Sequence, residues 1–298
     1  MPKIAYEERK FRAGSLALIR KMDDIVTDYQ RKGYQLTLRQ CYYQLVARDI
    51  IENTEKSYKR IADLLDNGRK AGLIDWQAIE DRTRQVRGWS GYESPAAFLK
   101  SVSRGFMLDL WREQPCYVEV WVEKDALVDV VRKACAGTRT PFFSCRGFSS
   151  QSAMWRAAER FKAKQDKKCI ILHLGDHDPS GLDMTRDIQE RLVYFGTDVQ
   201  VQRIALNMEQ VDTYNPPPNP AKETDSRYKG YQLKYGVKSW ELDALRPEVI
   251  ESMIDEHIKQ NMDLTLFNET LQQEQEQEQE LYQIAYNYQG ALMGAAGE

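Results

Sequence analysis

Three carboxylates stand where phosphate chemistry would need them. Glu123 closes the β-rich run VEVWVE, and Asp176 and Asp178 close CIILHLGDHD. In open parallel sheets, sites form beyond the carboxyl ends of the strands, so these acidic side chains are expected at one edge of a sheet. Carboxylates placed together repel unless they are protonated or bound to a cation. Hard oxygen ligands without an obligatory cysteine or histidine favour Mg²⁺, an ion that keeps open positions and takes a phosphate oxygen. The Asp-x-Asp pair also reads as a helix cap, with Asp178-Pro179-Ser180 starting the next helix. Gly175 before it and Gly181 after it strengthen the reading as a site. His173 and His177 are four residues apart but fall on a strand-to-loop segment, so zinc is not expected there. His177 is left free to contact a substrate phosphate, and His257 reads as a helical surface residue.

The elements that must position these residues follow from periodicity. Residues 12–32 form an amphipathic pattern through Leu18, Met22, Ile25 and Tyr29, stopped by Gly33. A second helix runs through LTLRQCYYQLVARD, with Thr37 as its cap. A third spans Thr54 to Ala71, capped by Asn53 and ended by Gly72. Tyr58, Ile61, Leu64 and Leu65 form its apolar face, and Lys56, Lys59, Arg60, Arg69 and Lys70 cover the rest. The run LIDWQAIEDRTRQV is expected to be extended, ending in the cluster Arg82, Arg84 and Arg87. Three short helices and an extended piece suggest a winged helix-turn-helix, whose third helix enters the major groove. Basic helix faces are also common as plain solvated surface.

Residues 88–113 look like a bridge, and from Pro115 strands and helices alternate. CYVEVWVEKDA, PFFSC, KCIILHLGD and VQVQRIAL are read as strands, separated by helices over Leu127–Ala134, Ser150–Lys164 and Ser180–Phe195. Near-continuous apolar strands in such alternation indicate a parallel, doubly wound α/β sheet. NPPPNP at 215–220 marks a loop that helix does not cross. Helix is expected again from Pro247 to His257 and on through residue 285, where QQEQEQEQE reads as solvated helix or partly disordered tail.

The 298 residues carry 42 Lys and Arg against 45 Asp and Glu, a net charge of −3 that argues globally against a nucleic-acid partner. The distribution reverses this. Residues 1–112 hold 21 basic and 15 acidic groups, and residues 113–298 the remaining 21 and 30. A basic front grips a polyanion, while an acidic back holds metal or keeps the chain soluble. No apolar run approaches the ~18–20 residues of a membrane helix, and the start lacks a secretory apolar region. Five scattered cysteines without a Cys-x-x-Cys indicate neither a disulfide framework nor a zinc knuckle, and fit reduced thiols in a cytoplasm.

VEVWVEK, followed some fifty residues later by LHLGDHDPSGLDM, resembles the Toprim fold of topoisomerases and primases. RIALNMEQVDTYNPPP and KSWELDAL are similar to the topoisomerase VI A subunit and its meiotic double-strand-break relative, and LTLRQCYYQLV resembles that family's arginine-acidic-x-aromatic-tyrosine motif. The resemblance spans roughly residues 30–260. It implies an α/β protein in which a winged-helix (CAP-like) DNA-binding domain, residues 1–112, precedes a Toprim Rossmann-like parallel-sheet domain with a helical C-terminus, residues 113–298. By the same resemblance Tyr43 is the nucleophile, Arg39 the motif's arginine, and Glu123, Asp176 and Asp178 the Mg²⁺ ligands. The implied partner is double-stranded DNA, cut by a homodimer in which the tyrosine of one protomer faces the metal site of the other. A cytoplasmic, nucleoid-associated protein is expected.

A phenol of pKa ~10 needs a cation or base nearby before it attacks phosphorus. Arg39, four residues before Tyr43, shares its helix face. Two departures from the family matter. Gln40 stands where the motif has Asp or Glu, so the charge that would orient Arg39 is expected to be missing. Only 42 residues precede Tyr43 and no ATPase motif occurs, which resembles the stand-alone topoisomerase mini-A proteins and implies cleavage without ATP-driven strand passage or an ATPase partner subunit. Two other readings stay open. One is a Toprim nuclease that hydrolyses DNA with metal-activated water while Tyr43 packs; the other is a non-catalytic DNA-binding protein.

Overall fold

The computed structural model describes residues 3–79 and 91–295. Helices α1 (Ala13–Arg31), α2 (Leu38–Ala47) and α3 (Glu55–Lys70) open the chain. Their apolar stripes close on one core that contains Met22, Ile25, Tyr29, Tyr42, Leu45 and Ile61. Thr37 caps α2 as expected, its hydroxyl accepting from Gln40 N–H. The cap of α3 is Thr54 and not Asn53, because the Thr54 hydroxyl accepts from Ser57 N–H while the Asn53 amide turns toward Tyr42. Residues 73–79, expected to be extended, are mostly bends and turns, with Ile79 bridging Leu36. The rest of that expected extended piece, with Arg82, Arg84 and Arg87, lies outside the described residues. Helix α4 (Pro95–Arg104), capped by Ser94, follows.

Strands β1 (Cys116–Val122), β2 (Phe142–Ser144), β3 (Lys168–Leu174) and β4 (Val199–Ala205) form a parallel sheet in the order β2-β1-β3-β4. The alternating pleat sends Val118, Val120 and Val122 to one face and Tyr117 and Trp121 to the other. Helix α5 (Val128–Ala136) covers the first face. Helices α6 (Gln151–Lys162) and α7 (Pro179–Tyr194) cover the second. Buried faces on both sides explain why the strands read as unbroken apolar runs. Strand order reverses between β1 and β3, and the crevice beyond their carboxyl ends is the switch point where such sheets bind ligands.

Helix α8 (Met208–Tyr214) leads through the proline run into a small antiparallel pair, β5 (Asn219–Pro220) and β6 (Lys238–Ser239), with α9 (Tyr228–Tyr235) between them. A 3-10 turn, Leu242–Ala244, then introduces α10 (Pro247–Gln260), which joins α5 on the first face. Leu242 and Leu245 enter the sheet core, whereas Ala244 enters the core of α1–α3. This short segment therefore stitches the two together.

The chain ends in α11 (Leu264–Ala295), packed along α4. Its QQEQEQEQE run does more than face solvent. Glu274, only 6% exposed, accepts from Arg139 Nη2 at 2.7 Å and from Leu108 N–H at 2.6 Å. Removing it strands two donors, so Glu274→Ala is expected to lower unfolding free energy by about 2 kcal/mol. Glu280→Ala, on the exposed face of the same run, should stay within about 0.5 kcal/mol. Equal urea midpoints for the two variants would refute the structural role of Glu274.

Candidate functional site

Glu123 and Asp176 emerge side by side at the switch point. Asp176 N–H donates to Glu123 Oε2 at 2.9 Å, and Glu123 N–H donates to the Leu174 carbonyl at 2.8 Å. The two flanking glycines make this approach possible. A Cβ on Gly175 would lie 2.9 Å from Glu123 Oε2, and one on Gly181 would run into the Asp176 carbonyl. Asp178 caps α7, its Oδ1 accepting from Gly181 N–H at 2.6 Å, and its charge also bears on Glu123. The helix-cap reading of the Asp-x-Asp pair therefore holds for Asp178.

Arg203, on β4, ties this loop down from behind. Its guanidinium donates to the carbonyls of Gly175, Asp176 and Gly181 at 2.8, 2.6 and 2.9 Å. His173 and His177 both turn into the protein interior. His173 is fully buried against the Thr185 hydroxyl, and burial pushes its pKa down to about 3. His177, expected to be free for a phosphate, is turned inward among Tyr231, Tyr235 and Trp240 with its Nδ1 2.9 Å from the Tyr231 hydroxyl.

On α2, Tyr43 is 5% exposed, and Tyr42 packs edge-on against it. The Arg39 guanidinium lies 5.7 Å from the centre of the Tyr43 ring. Gln40 is buried and accepts from Thr37 N–H, so its role is to cap the helix. The acidic partner expected to be missing comes from elsewhere. Arg39 pairs with Glu241, and its Nε lies 2.9 Å from Asp243 Oδ2. Lys124, next to Glu123 in sequence, reaches the same pair: it contacts Glu241, Asp243 Oδ1 at 3.0 Å and Asp176 Oδ2 at 2.9 Å. Asp176 Oδ1 accepts from Leu242 N–H at 2.8 Å.

Asn219 closes the connection. Its amide lies 3.5 Å from the Tyr43 hydroxyl and 3.4 Å from Glu241 Oε1, and it accepts from Asn53. Beside it opens a cleft of about 300 Å³ lined by Arg39, Tyr42, Tyr43, Tyr58, Asn219 and Glu241. Of the cations on α3, Lys56 and Arg60 point to solvent with no ion-pair partner among the described residues. Lys59 and Lys70 pair within the helix with Glu55 and Asp66, and Arg69 stacks on Trp76.

Electrostatics at the site are dominated by burial. Burial raises Glu123, and it pushes Asp176 up to about 8 even with Lys124 beside it. Burial also opposes ionisation of Glu241, but Lys124 and Arg39 outweigh it and hold that carboxyl below its usual range. The constellation sets five carboxyl groups (Glu123, Asp176, Asp178, Glu241 and Asp243) against three cations (Lys124, Arg39 and Arg203), an excess of two negative charges once all five are ionised. That excess and the all-oxygen donors fit a divalent cation. Among the described residues no three His, Cys, Asp or Glu side chains are grouped closely enough to hold an ion as they stand, and the Lys124 ammonium lies between Asp176, Glu241 and Asp243.

No protein-family model matches the chain, and no curated protein matches it. Among the described residues no helix is long and apolar enough to cross a membrane.

Tyr43 is pushed up to about 12 by burial and then by the charge of Glu241, while Asn219 and Arg39 pull it down. Replacing the carboxylate removes one of three raising effects and leaves burial and the weaker charge of Asp243. In Glu241→Gln, Tyr43 should therefore ionise at lower pH, seen as an earlier shift of the ring-carbon NMR signal that disappears in Tyr43→Phe. An unchanged or later titration would contradict the arrangement.

Proposed function

We propose that the chain is a Mg²⁺-dependent DNA-cleaving enzyme of the topoisomerase VI A kind. In this reading a winged-helix region carries the nucleophile Tyr43, and a Toprim region carries the metal ligands Glu123, Asp176 and Asp178. The observation that best supports it is a continuous polar path within one chain, from the Tyr43 hydroxyl through Asn219, Glu241 and Lys124 to Asp176.

Tyr43 Oη attacks phosphorus, forming the 5′-phosphotyrosyl bond as the bond from phosphorus to the 3′ oxygen breaks. The phenolic proton is lost, and the departing 3′ oxygen is protonated to a hydroxyl. Phenolate is a better leaving group than an alkoxide, so the linkage stays reversible. Arg39 sits beside the ring and can exchange its carboxylate partners for the phosphate, which its planar fork suits. Asn219 directs an N–H at the phenol oxygen and so favours its ionised form. A bound Mg²⁺ would supply charge to the phosphate oxygens. Lys56 and Arg60 would hold the duplex, and two copies of the chain would cut both strands. No ATPase subunit is invoked.

One feature favours the hydrolytic alternative: Tyr43 is buried and, at rest, harder to ionise than a free tyrosine. Trapping separates the two readings. With duplex DNA and Mg²⁺, the wild-type chain should leave protein covalently attached to 5′ ends after denaturation, Tyr43→Phe should leave none, and Asp176→Asn should cleave nothing. Cleavage at wild-type rate by Tyr43→Phe would establish hydrolysis instead, and a wild type that binds DNA without cutting it would favour the binding protein.

Binding is tested separately from cleavage. On a Tyr43→Phe background, changing Lys56 and Arg60 to glutamine should reduce the slope of log affinity against log salt by about 2, roughly one per phosphate released. An unaltered slope would mean that these cations only face water.

A further inference from the structure

Of the three cations at the site Lys124 makes the most ion pairs, and it has no role in the metal-ligand set. Its side chain is only 15% exposed, and the ammonium touches three carboxylates. One of them, Asp176, is a proposed metal ligand whose other oxygen is already committed to Leu242 N–H. The remaining two, Glu241 and Asp243, are shared with Arg39, Asp243 offering Oδ1 to Lys124 and Oδ2 to Arg39. Asp243 is completely buried, so its charge has no solvent to fall back on.

We propose that Lys124 is a positioning residue that competes with the divalent cation for Asp176 and passes the outcome, through Glu241 and Asp243, to Arg39 beside Tyr43. The inference rests on the Mg²⁺ reading given above. A cation that takes Asp176 Oδ2 displaces the ammonium, which then rests wholly on Glu241 and Asp243. Those carboxylates are the ones that hold Arg39, so their hold on it weakens as Lys124 satisfies them. Metal uptake thereby frees the guanidinium to meet a phosphate. With the metal site empty, the same contacts keep Arg39 withdrawn.

Two substitutions at the ion-pair cluster should move Mg²⁺ affinity in opposite directions. Lys124→Met removes the competitor and is expected to tighten Mg²⁺ binding about tenfold, measured by titration calorimetry at a pH of about 9, where protons no longer compete for the carboxylates. Asp243→Asn keeps the shape but takes away a carboxylate that draws Lys124 from Asp176, and it should weaken Mg²⁺ binding several-fold. A second readout needs no bound DNA: the side-chain NMR signal of Lys124 should move on Mg²⁺ addition in the wild type and stay fixed in Asp176→Asn. If both variants bind Mg²⁺ like the wild type, or shift in the same direction, the competition is wrong while the metal reading stands. If the wild type takes up no Mg²⁺, the metal reading itself fails. Should Lys124→Met not fold, Asp243→Asn and the lysine signal decide the question alone.

Discussion

Lys124 and Arg39 meet Glu241 and Asp243 where the helical core of the first hundred residues abuts the carboxyl edge of the sheet. Ions in such a place interact strongly, several kcal/mol for each pair at 3 Å even with an effective dielectric constant of about 20. Stripping them of water costs a similar amount, so the cluster contributes little net stability. Its effect is conditional: losing one member leaves buried charge uncompensated, at a cost of about 3–5 kcal/mol. The tyrosine helix, the strand-end carboxylates and the Leu242–Ala244 turn are thus held relative to one another by a set of mutually dependent contacts.

Much of the fold was legible because it depends on local pattern. The strands announced themselves as apolar runs because both faces of the sheet are covered, and Glu123 and Asp176 stood at their ends as the topology requires. Gly175 and Gly181 were also informative, since each lies where a side chain would strike the carboxylate loop. The partners of Arg39 and Tyr43 were not legible as such. Glu241 and Asp243 lie some two hundred residues beyond Arg39, and no periodicity connects them. Asn219 was hidden in a proline run that reads only as a loop. Glu274 was masked by the repetitive segment around it, where every second residue has the same composition and only packing distinguishes one glutamate from the next.

At rest the site is self-neutralising. Burial and the charge of Glu241 outweigh Asn219 and Arg39 at the Tyr43 hydroxyl, so the phenol keeps its proton. Asp176 is driven toward protonation by burial despite the adjacent ammonium. Both effects come from excluding water around an excess of negative charge, and both would relax as positive charge entered the crevice. Lys56 and Arg60, without ion-pair partners among the described residues, lie on α3, whose N-terminal residues line the same cleft as Tyr43.

The turn that carries Leu242 and Ala244 has a consequence for how the molecule is made. Ala244 completes the core of α1–α3, yet it is added about two hundred residues after those helices. Growing chains fold their early segments first, at about 5–20 residues per second. The first three helices must therefore wait some ten seconds or more, with an open seam beside Tyr43, until the late segment arrives to seal it. Assembly of the tyrosine surface is in this way timed by the Leu242–Ala244 segment, and Arg39 cannot meet Glu241 and Asp243 until that segment has been synthesised.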